Sequence, residues 1–517
     1  MLFNSAEFLF VFLPVCLVLF YALGRYASRR LALGFLVAAS LFFYGYWRPE
    51  YLVLIVASTL ANYFLGRRLA AAQEHGGNKW LLTLGVTANL ALLGYYKYTG
   101  FLLGTLAALQ GAPAPEVHIL LPLGISFFTF QQIAYLVDAH RGLAHELNLP
   151  RYALFVTFFP QLIAGPIVHH SDVLSQFQRA GLFQFRSERV AIGLTLFLIG
   201  LFKKIMLADS VAVYASPVFT AAEQGVELAT LEAWGGALAY TFQLYFDFSG
   251  YSDMAMGLAR LFGVRLPQNF NSPYRTTSIV QFWRCWHMTL SQFLQQYLYI
   301  ALGGNRKGPT RRYINLFITM LLGGLWHGAG WNYVIWGGLH GFYLTVNHAF
   351  RAVCPRPFWD RSPLLAVFPW ALTFLSVVVA WVFFRATSYD SATQVLSAMF
   401  ALNGFHLPTE YQTQIGPLAP VLSQLGVSFD LAEMPTFQGG PQLLWIAGLG
   451  CLCVCFPNSC ELLSHYRPCL SVAKHTRKPL FPVRFRLTAA WAMGAGIMGL
   501  VTFSHLQRIS EFLYFQF

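Results

Sequence analysis

Two histidines in the 517-residue chain, His287 and His327, occupy positions where an imidazole could transfer protons or acyl groups. They lie forty positions apart, and His327 falls inside the apolar run LLGGLWHGAGW. A titratable side chain in a membrane-embedded segment is energetically costly and marks a functional site by default. An imidazole there can act as a general base or as a nucleophile toward an acyl carbon. The remaining chain is expected to form the membrane housing for this pair.

Helix geometry predicts a deep position for His327. If its helix starts near Tyr313 at the cytoplasmic face, His327 lies about 21 Å in, at ~1.5 Å per residue. That is past the midplane of a ~30 Å hydrocarbon core. Trp331 and Asn332 then turn the chain, and His340 returns to a similar depth on the next helix. A lone buried histidine is often a satisfied core residue, but the small residues of GGLWHG favour a cavity, so we predict a functional site.

His287 belongs to an aromatic, partly amphipathic segment. On a helix, His287 would share one stripe with Trp283, Leu290 and Leu294, and Trp286 would lie beside it. This pattern predicts an interfacial helix with its aromatic face in the bilayer and His287 pointing inward. An aromatic anchor with an incidental histidine fits the pattern equally well.

A third polar cluster lies upstream in YFDFSGYSD, where Asp247 and Asp253 flank Ser249 and Tyr251 at the end of an apolar run. A carboxylate there could orient an imidazole or line a substrate path. Asp and Ser also suit a helix N-cap, and we favour capping or scaffolding. The sequence contains no GxxxxGK[ST] phosphate loop, HExxH zinc pair or G-x-S-x-G elbow.

The composition is that of a polytopic membrane protein. Hydrophobic residues make up 56% of the chain and charged residues only 11%, whereas soluble domains have roughly 25% charged residues. The net charge is +13, but Lys and Arg concentrate in links between apolar runs. The positive-inside rule accounts for this placement, so we exclude nucleic-acid binding. Residues 8–23 are expected to begin the first span, because no small-residue cleavage site follows them.

The eight cysteines do not predict a metal site. Cys451, Cys453 and Cys455 alternate within one apolar run and lack the paired spacing of a zinc site. Small apolar packing residues are expected there, and Cys285 is assigned the same role.

Candidate spans, with edges uncertain by several residues, are 6–23, 31–46, 51–66, 79–97, 117–138, 189–207, 231–250, 313–329, 332–350, 363–384, 441–457 and 487–505. Residues 152–168 are apolar but interrupted by Pro160, Gly165 and Pro166. They predict a re-entrant or buried segment, which is tolerated only where protein covers the backbone.

Charge alternates from link to link. The basic links are 25–30, 67–79, 141–151, the long 251–312 stretch, 351–361 and 467–486. The intervening links carry almost no Lys or Arg, and segments 98–116, 208–230 and 386–440 contain none. Twelve alternating spans would place the basic links in the cytoplasm and both termini outside, in the periplasm. Lys203 and Lys204 do not fit this scheme, so they either snorkel or mark a wrong boundary. Residues 386–440 form the largest exterior segment, which is a lid, a partner-docking surface or a plain connector.

Several stretches carry a family resemblance. They are PLGISFFTFQ (122–131), FFPQLIAGPI (158–167), YFDFSGYSDMAMGLARLFG (245–263), NFNSPY (269–274), FWRCWHMTLSQF (282–293), YLYIALGGNR (297–306) and LLGGLWHGAGWNYVIWGGLHG (321–341). Together they resemble the membrane-bound O-acyltransferase (MBOAT) superfamily, and most closely its bacterial branch that acts in alginate O-acetylation. The resemblance extends from the start of the chain to about residue 385 and is most specific in 245–341.

The resemblance implies an all-α, polytopic integral membrane protein. We expect about 11–13 transmembrane helices, with re-entrant or interfacial helices, around a central tunnel. Residues 1–517 would form a single domain, with a catalytic core at about 117–350. The resemblance also implies an essential histidine in the WHG motif, here His327, and a second polar position that maps onto His287. Expected tunnel-lining residues are Trp326, Trp331, Asn332, His340, Trp283, Trp286, Asp247, Tyr245 and Asn305.

The functional hypothesis is O-acetyl transfer at the bacterial inner membrane. Acetyl groups from a cytosolic thioester, acetyl-CoA by family resemblance, would reach His327 through the tunnel, with no bound cofactor. His287 would orient or polarise the thioester, and Trp326 and Trp331 would keep the site dry. The acceptor would be an exported polysaccharide, alginate first, or a serine on a periplasmic partner protein.

Two alternatives remain open. One is acyl transfer to peptidoglycan, cellulose or teichoic acid, with a carrier protein docking on 251–312. The other is a histidine-lined transporter or channel, although the inverted repeats common in transporters are not found.

Overall fold

The computed structural model describes residues 1–73, 77–144, 146, 148–354, 357, 362, 364–402, 404–473, 477–506 and 512–513. Within these residues the protein is almost entirely helical, with one two-stranded parallel sheet. Parts of the predicted basic links, at 74–76, 145, 147, 355, 356, 358–361 and 474–476, lie outside the described residues. Residue 363, residue 403 of the predicted exterior segment, and residues 507–511 and 514–517 also lie outside them.

The helices of the first half precede the segment that carries His287. They are α1 (Phe8–Ala27), α2 (Arg29–Gly45), α3 (Glu50–Gln73), α4 (79–109), α5 (Ile125–His140), α6 (Leu149–Thr157), α7 (Phe159–Leu162), α8 (His170–Phe177), α9 (Ser187–Glu223) and α10 (Thr230–Leu261).

The second half holds the histidines and the exterior segment. Its elements are α11 (Ile279–Trp283), α12 (288–299), α13 (Gly308–His327), α14 (Trp331–Val353), α15 (Val367–Arg385), α16 (Tyr389–Met399), β1 (Phe405–Pro408), α17 (Thr409–Ile415), α18 (Ala419–Gln424), β2 (Val427–Leu431), α19 (Gly440–Cys455), α20 (Ser459–Leu462) and α21 (Ala489–Phe503). Short 3₁₀ turns occur at Ala180–Phe183, Pro273–Arg275, Gly416–Leu418 and Ser464–Tyr466.

Long apolar helices confirm the polytopic all-α class. Among the described residues, four helices are long and apolar enough to cross a membrane, namely α1, α3, α9 and α15. Helices α19 and α21 are shorter but apolar. Large apolar side chains along these helices are exposed, for example Val18 at 67% and Leu372 at 67%. Such surfaces are the ones that a bilayer covers, because no water-soluble protein leaves so many apolar faces open.

Three predicted spans end too early. Helix α4 continues through the predicted 98–116 link as far as Leu109, and α9 runs through the predicted 208–230 link to Glu223. Helix α10 does not stop at 250 but continues to Leu261. The apolar criterion placed boundaries at the first polar cluster, but polar residues inside these helices find partners within the protein and do not end the helix.

Of the two explanations offered for Lys203 and Lys204, the wrong boundary is confirmed and snorkelling is not, because one helix runs from Ser187 to Glu223. Both lysines lie inside α9 and pair with carboxylates. The Lys203 ammonium lies 2.6 Å from Asp253, and the Lys204 ammonium lies 2.8 Å from Asp209 and 2.7 Å from Asp247. A buried charge is tolerated where it is paired in this way. Asp247 and Asp253 lie in the middle of α10, so the capping prediction is wrong, whereas their ion pairs with α9 fit the scaffolding alternative.

Helix α5 begins at Ile125 rather than at 117. Gly124 precedes it with a φ of 70°, a left-handed conformation that glycine adopts without strain. Pro122 lies just upstream, so residues 117–122 do not extend the helix. Residues 149–168 form two short helices, α6 and α7, followed by a non-helical segment, and most of their side chains are buried. The prediction of a broken, buried segment there is confirmed.

Helices α13 and α14 form a closely packed hairpin that positions His327. Gly324 on α13 faces the carbonyl of Tyr333, and Gly337 on α14 faces the carbonyl of Met320, so that a methyl group at either position would clash. Helix α13 starts at Gly308, five residues before the predicted Tyr313, and ends at His327. The hairpin turn is only three residues long, so His327 is held at the tip of one helix against the start of the next.

Candidate active site

The two histidines predicted from the sequence meet in the folded chain. The ring centroids of His287 and His327 lie 6.2 Å apart, and the side chains are 0% and 2% exposed. Residues 300–307 between them form a turn, so the meeting depends on α13 folding back beside α12. Two imidazoles at this separation can flank one reacting group.

His327 is surrounded by aromatic rings. Its ring centroid lies 5.0 Å from that of Trp326, 5.1 Å from that of Trp336 and 5.3 Å from that of Phe384, all in edge-to-face arrangements. Such a shell excludes water and holds the ring in place. Trp326 was predicted to keep the site dry, and it does contact His327. Trp336 and Phe384, which the sequence analysis did not single out, pack against His327 in the same way.

His287 lies at a break between two helices. The predicted single interfacial helix through Trp283, His287, Leu290 and Leu294 is wrong, because α11 ends at Trp283 and α12 begins at 288. His287 has a φ of 41°, in the left-handed region that is unusual for a residue other than glycine. Such strain occurs at functional sites. The predicted inward direction of His287 is confirmed by its complete burial.

Asn269 fixes the orientation of the His287 ring. The Nδ1 of His287 lies 3.1 Å from the Oδ1 of Asn269. This oxygen also accepts a hydrogen bond from the hydroxyl of Thr289 at 2.9 Å, and the Asn269 amide donates to the hydroxyl of Ser252 at 3.3 Å. Because a carbonyl oxygen can only accept, His287 must carry a proton on Nδ1. In the neutral ring, Nε2 is then the acceptor nitrogen.

His340 lies behind Trp336. Its ring centroid is 4.8 Å from that of Trp336, and its Nδ1 accepts a hydrogen bond from the indole of Trp283 at 3.2 Å. His340 and Trp283 are therefore part of the buried aromatic cluster around the site, one ring removed from His327. Trp286 and Tyr245 form a further layer, with ring centroids 6.3 Å apart.

Four other predicted tunnel-lining residues lie outside this aromatic cluster or are held by partners elsewhere. Trp331 is 56% exposed and packs edge-to-face on Phe101 at the start of α14. Asn305 lies exposed in the turn before α13, where it accepts a hydrogen bond from the hydroxyl of Tyr299. Asp247 pairs with Lys204. Asn332 is buried, but its amide donates to the backbone carbonyl of Ala386 at 2.8 Å and so joins α14 to the end of α15.

Several known proteins are similar to this chain. The family model described as "MBOAT, membrane-bound O-acyltransferase family" matches residues 122–389. A Helicobacter pylori protein named peptidoglycan O-acetyltransferase is 43% identical over 436 residues, which cover 79% of this chain and 81% of that protein. A Pseudomonas putida protein named "Probable alginate O-acetylase" is 44% identical over 423 residues, covering 80% and 83%. A Bacillus subtilis teichoic acid D-alanyltransferase is 29% identical over 247 residues, covering 46% and 61%.

The chain belongs to the membrane-bound O-acyltransferase family. It is therefore an acyltransferase and an integral membrane protein, as the sequence predicted. The family match spans both histidines and α15, which contributes Phe384 to the ring shell around His327.

Asn269 and Lys97 were missed by sequence reasoning. Asn269 lies in the NFNSPY stretch that helped to carry the resemblance, but an amide in a loop gives no signal of its partner. Lys97 marked the end of a predicted span, and only the fold shows that its side-chain nitrogen reaches the backbone beside His327. In this acyltransferase Asn269 contacts the ring of His287, and Lys97 contacts the backbone carbonyl of His327.

Proposed function

We propose that this acyltransferase moves acetyl groups from a cytosolic thioester to an exported polysaccharide at the bacterial inner membrane. Acetyl-CoA is the favoured donor and alginate the favoured acceptor. The observation that supports this most directly is the buried pair of imidazoles, His287 and His327, within a ring-lined site. The names of relatives that are 43–44% identical, peptidoglycan O-acetyltransferase and alginate O-acetylase, support acetyl as the transferred group.

In this proposal the His327 imidazole removes the proton from an acceptor hydroxyl as its oxygen attacks the thioester carbonyl. The C–O bond forms, the C–S bond breaks, and the departing thiolate takes the proton from the imidazolium. In a second version the His327 imidazole attacks the thioester carbonyl, the C–N bond forms as the C–S bond breaks, and the thiolate takes the ring N–H proton. The acceptor hydroxyl then attacks the acyl-imidazole, the C–O bond forms as the C–N bond breaks, and the hydroxyl proton returns to the imidazole. Trp326, Trp336 and Phe384 would protect the bound thioester and the acyl-imidazole from hydrolysis.

The tautomer of His287 restricts its part in this proposal. With Nδ1–H donated to Asn269, neutral His287 offers a lone pair at Nε2. It can accept a hydrogen bond from the attacking hydroxyl or from His327, whereas polarising the thioester carbonyl would require a second proton. We therefore assign His287 to orienting the hydroxyl or the other imidazole.

Replacing His327 with alanine should reduce transfer by about 10²- to 10⁴-fold, the usual contribution of general acid–base catalysis. The measurement is incorporation of radiolabelled acetyl from acetyl-CoA into alginate by purified protein in lipid, with protein quantified in the membrane. His118→Ala is the control, because His118 is an exposed side chain in the non-helical segment before α5. Full transfer by His327→Ala would end the assignment.

The same assay separates the other candidate acceptors. Peptidoglycan, cellulose and teichoic acid replace alginate in parallel reactions, and D-alanyl thioester replaces acetyl thioester in one of them. Labelling of one polymer alone identifies the acceptor. Passage of solute across liposomes without any thioester turnover would favour the transporter alternative.

Partner proteins and topology remain part of the proposal. Residues 386–440, placed outside by the charge pattern, contain a small β-α-β unit in which β1 pairs with β2 in parallel. We propose this unit as the docking surface for a periplasmic acetyltransferase partner. The predicted 251–312 link offers a cytosolic carrier protein less docking surface than its length suggests. Residues 251–262 are buried, and the exposed residues are concentrated in 300–312.

A further inference from the structure

Helix α13 ends at His327, and its last turn has carbonyl groups that no backbone N–H of the same helix can satisfy. Only the N–H of Gly328 bonds back, to Gly324 at 3.3 Å. Buried carbonyls need partners, so the end of this helix must be completed by other parts of the chain.

Helix α4 supplies those partners. The Nζ of Lys97 donates to the carbonyl of Trp326 at 2.5 Å and to that of His327 at 3.2 Å. The hydroxyl of the neighbouring Tyr98 donates to the carbonyl of Leu325 at 2.9 Å. Lys97 and Tyr98 thus hold three successive carbonyls at the tip of α13.

Further contacts fix the position of the Lys97 side-chain nitrogen. Its third N–H is directed at the hydroxyl of Ser126, 3.4 Å away on α5. Its Nζ also lies 5.9 Å from the centroid of the Trp326 ring, within cation–π range. No carboxylate forms an ion pair with Lys97 in the described part of the chain. The ammonium is therefore held by carbonyl dipoles at a helix C-terminus, which is where a positive charge is favourable.

The backbone around Lys97 is also unusual. Residues Gly94–Tyr98 form a π-helical turn within α4. Such turns redirect side chains from the ordinary helical repeat and are frequent at functional sites. Here the turn lets the adjacent residues Lys97 and Tyr98 both face the tip of α13, whereas consecutive residues of a regular helix point about 100° apart.

We propose that Lys97 is a positioning residue for acyl transfer, which fixes the backbone of Trp326 and His327 so that the His327 imidazole faces His287. This inference rests on the proposed function of His327. Tyr98 holds the same helix end through a neutral hydrogen bond. Lys97 differs from Tyr98 in that its side chain carries a positive charge and contacts two carbonyls instead of one.

The test compares Lys97→Met, Lys97→Arg and Tyr98→Phe with the wild type in the radiolabelled acetyl transfer assay. Methionine keeps the length and apolar character of the stem but removes every donor. We expect Lys97→Met to lower kcat by about 10²-fold, the effect of a small misplacement of a reacting group, with KM for the thioester within about twofold. Lys97→Arg should restore most of the lost kcat, because guanidinium donors can reach the same carbonyls.

Tyr98→Phe distinguishes positioning from simple support of the helix end. It should lower the thermal midpoint about as much as Lys97→Met, since each variant leaves buried carbonyl oxygens without a donor, yet change kcat by less than about threefold. Equal losses of kcat in Lys97→Met and Tyr98→Phe, or an unchanged kcat in Lys97→Met, would overturn the role of Lys97. His327→Ala is run in parallel, and activity in that variant would instead overturn the proposed site.

Discussion

At the scale of residues, the site depends on the groups that hold the imidazoles as much as on the imidazoles themselves. Asn269 sets the proton of His287 on Nδ1, and its own oxygen is shared with Thr289. The backbone carbonyl of Asn269 also accepts the N–H of Met288 at 2.9 Å, so the loop and the helix start are tied together. These contacts hold His287 in its strained backbone conformation, because they oppose a return to an ordinary φ angle.

Replacing Asn269 with alanine should therefore weaken catalysis without removing a reacting group. The ring of His287 would be free to rotate and to change tautomer, and we expect kcat to fall by about 10²-fold with little change in KM. Steady-state kinetics of the purified variant measure this. Asn305→Ala, at an exposed amide outside the site, is the matched control and should behave like the wild type. Similar kcat values for the Asn269 and Asn305 variants would contradict the orienting role.

At the scale of elements, the α13–α14 hairpin decides where His327 lies. Gly324 and Gly337 let the two helices approach until backbone touches backbone. Close approach through glycines is common between membrane helices, because lipid provides no hydrophobic drive to hold them together. The hairpin also places Trp336 and His340 on the face of α14 that covers His327.

Gly337→Ala should separate the hairpin. Its new methyl group would meet the carbonyl of Met320, and overpacking of this kind costs about 1–3 kcal/mol. We expect a lower thermal midpoint and lower transfer activity in the same variant. Gly338→Ala is the control one residue away, where the nearest atom to the new methyl is the Phe317 ring at 3.9 Å. If the Gly338 variant loses as much as the Gly337 variant, close packing is not the cause.

At the scale of the whole molecule, the charge bias predicts the orientation of the chain in the membrane. The links without Lys or Arg predict that residues 386–440, which helices α15 and α19 flank, lie outside. The site lies where α4, α13, α14 and α15 meet the break between α11 and α12 that holds His287.

Cysteine labelling in intact cells tests the predicted orientation. Glu410→Cys, exposed in α17, should react with a membrane-impermeant maleimide added outside the inner membrane. Arg68→Cys, exposed near the end of α3 beside a basic link, should react only after the membrane is permeabilised. The wild type supplies the background from its own eight cysteines. Labelling of Arg68→Cys in sealed cells, or protection of Glu410→Cys, would reverse the proposed topology.

The sequence by itself determined the class of protein, the family and the two histidines. Hydrophobic runs and the cost of burying an imidazole in a membrane are local properties, and they can be recognised without knowing what each segment packs against. The same reasoning located the broken segment at 152–168, because Pro160 and Pro166 act on their own neighbours.

Only the tertiary structure decided which other residues belong to the site. Asn269, Lys97 and Phe384 reach the histidines across 18 to 230 positions of chain, so no local pattern could reveal them. Asp247 and Lys204 are the opposite case. From the sequence, Asp247 resembles a site residue and Lys204 a boundary residue, but in the fold the two form an ion pair with each other. A polar side chain in a membrane helix must find a partner, but the sequence does not say which one, since that choice is made by helix packing.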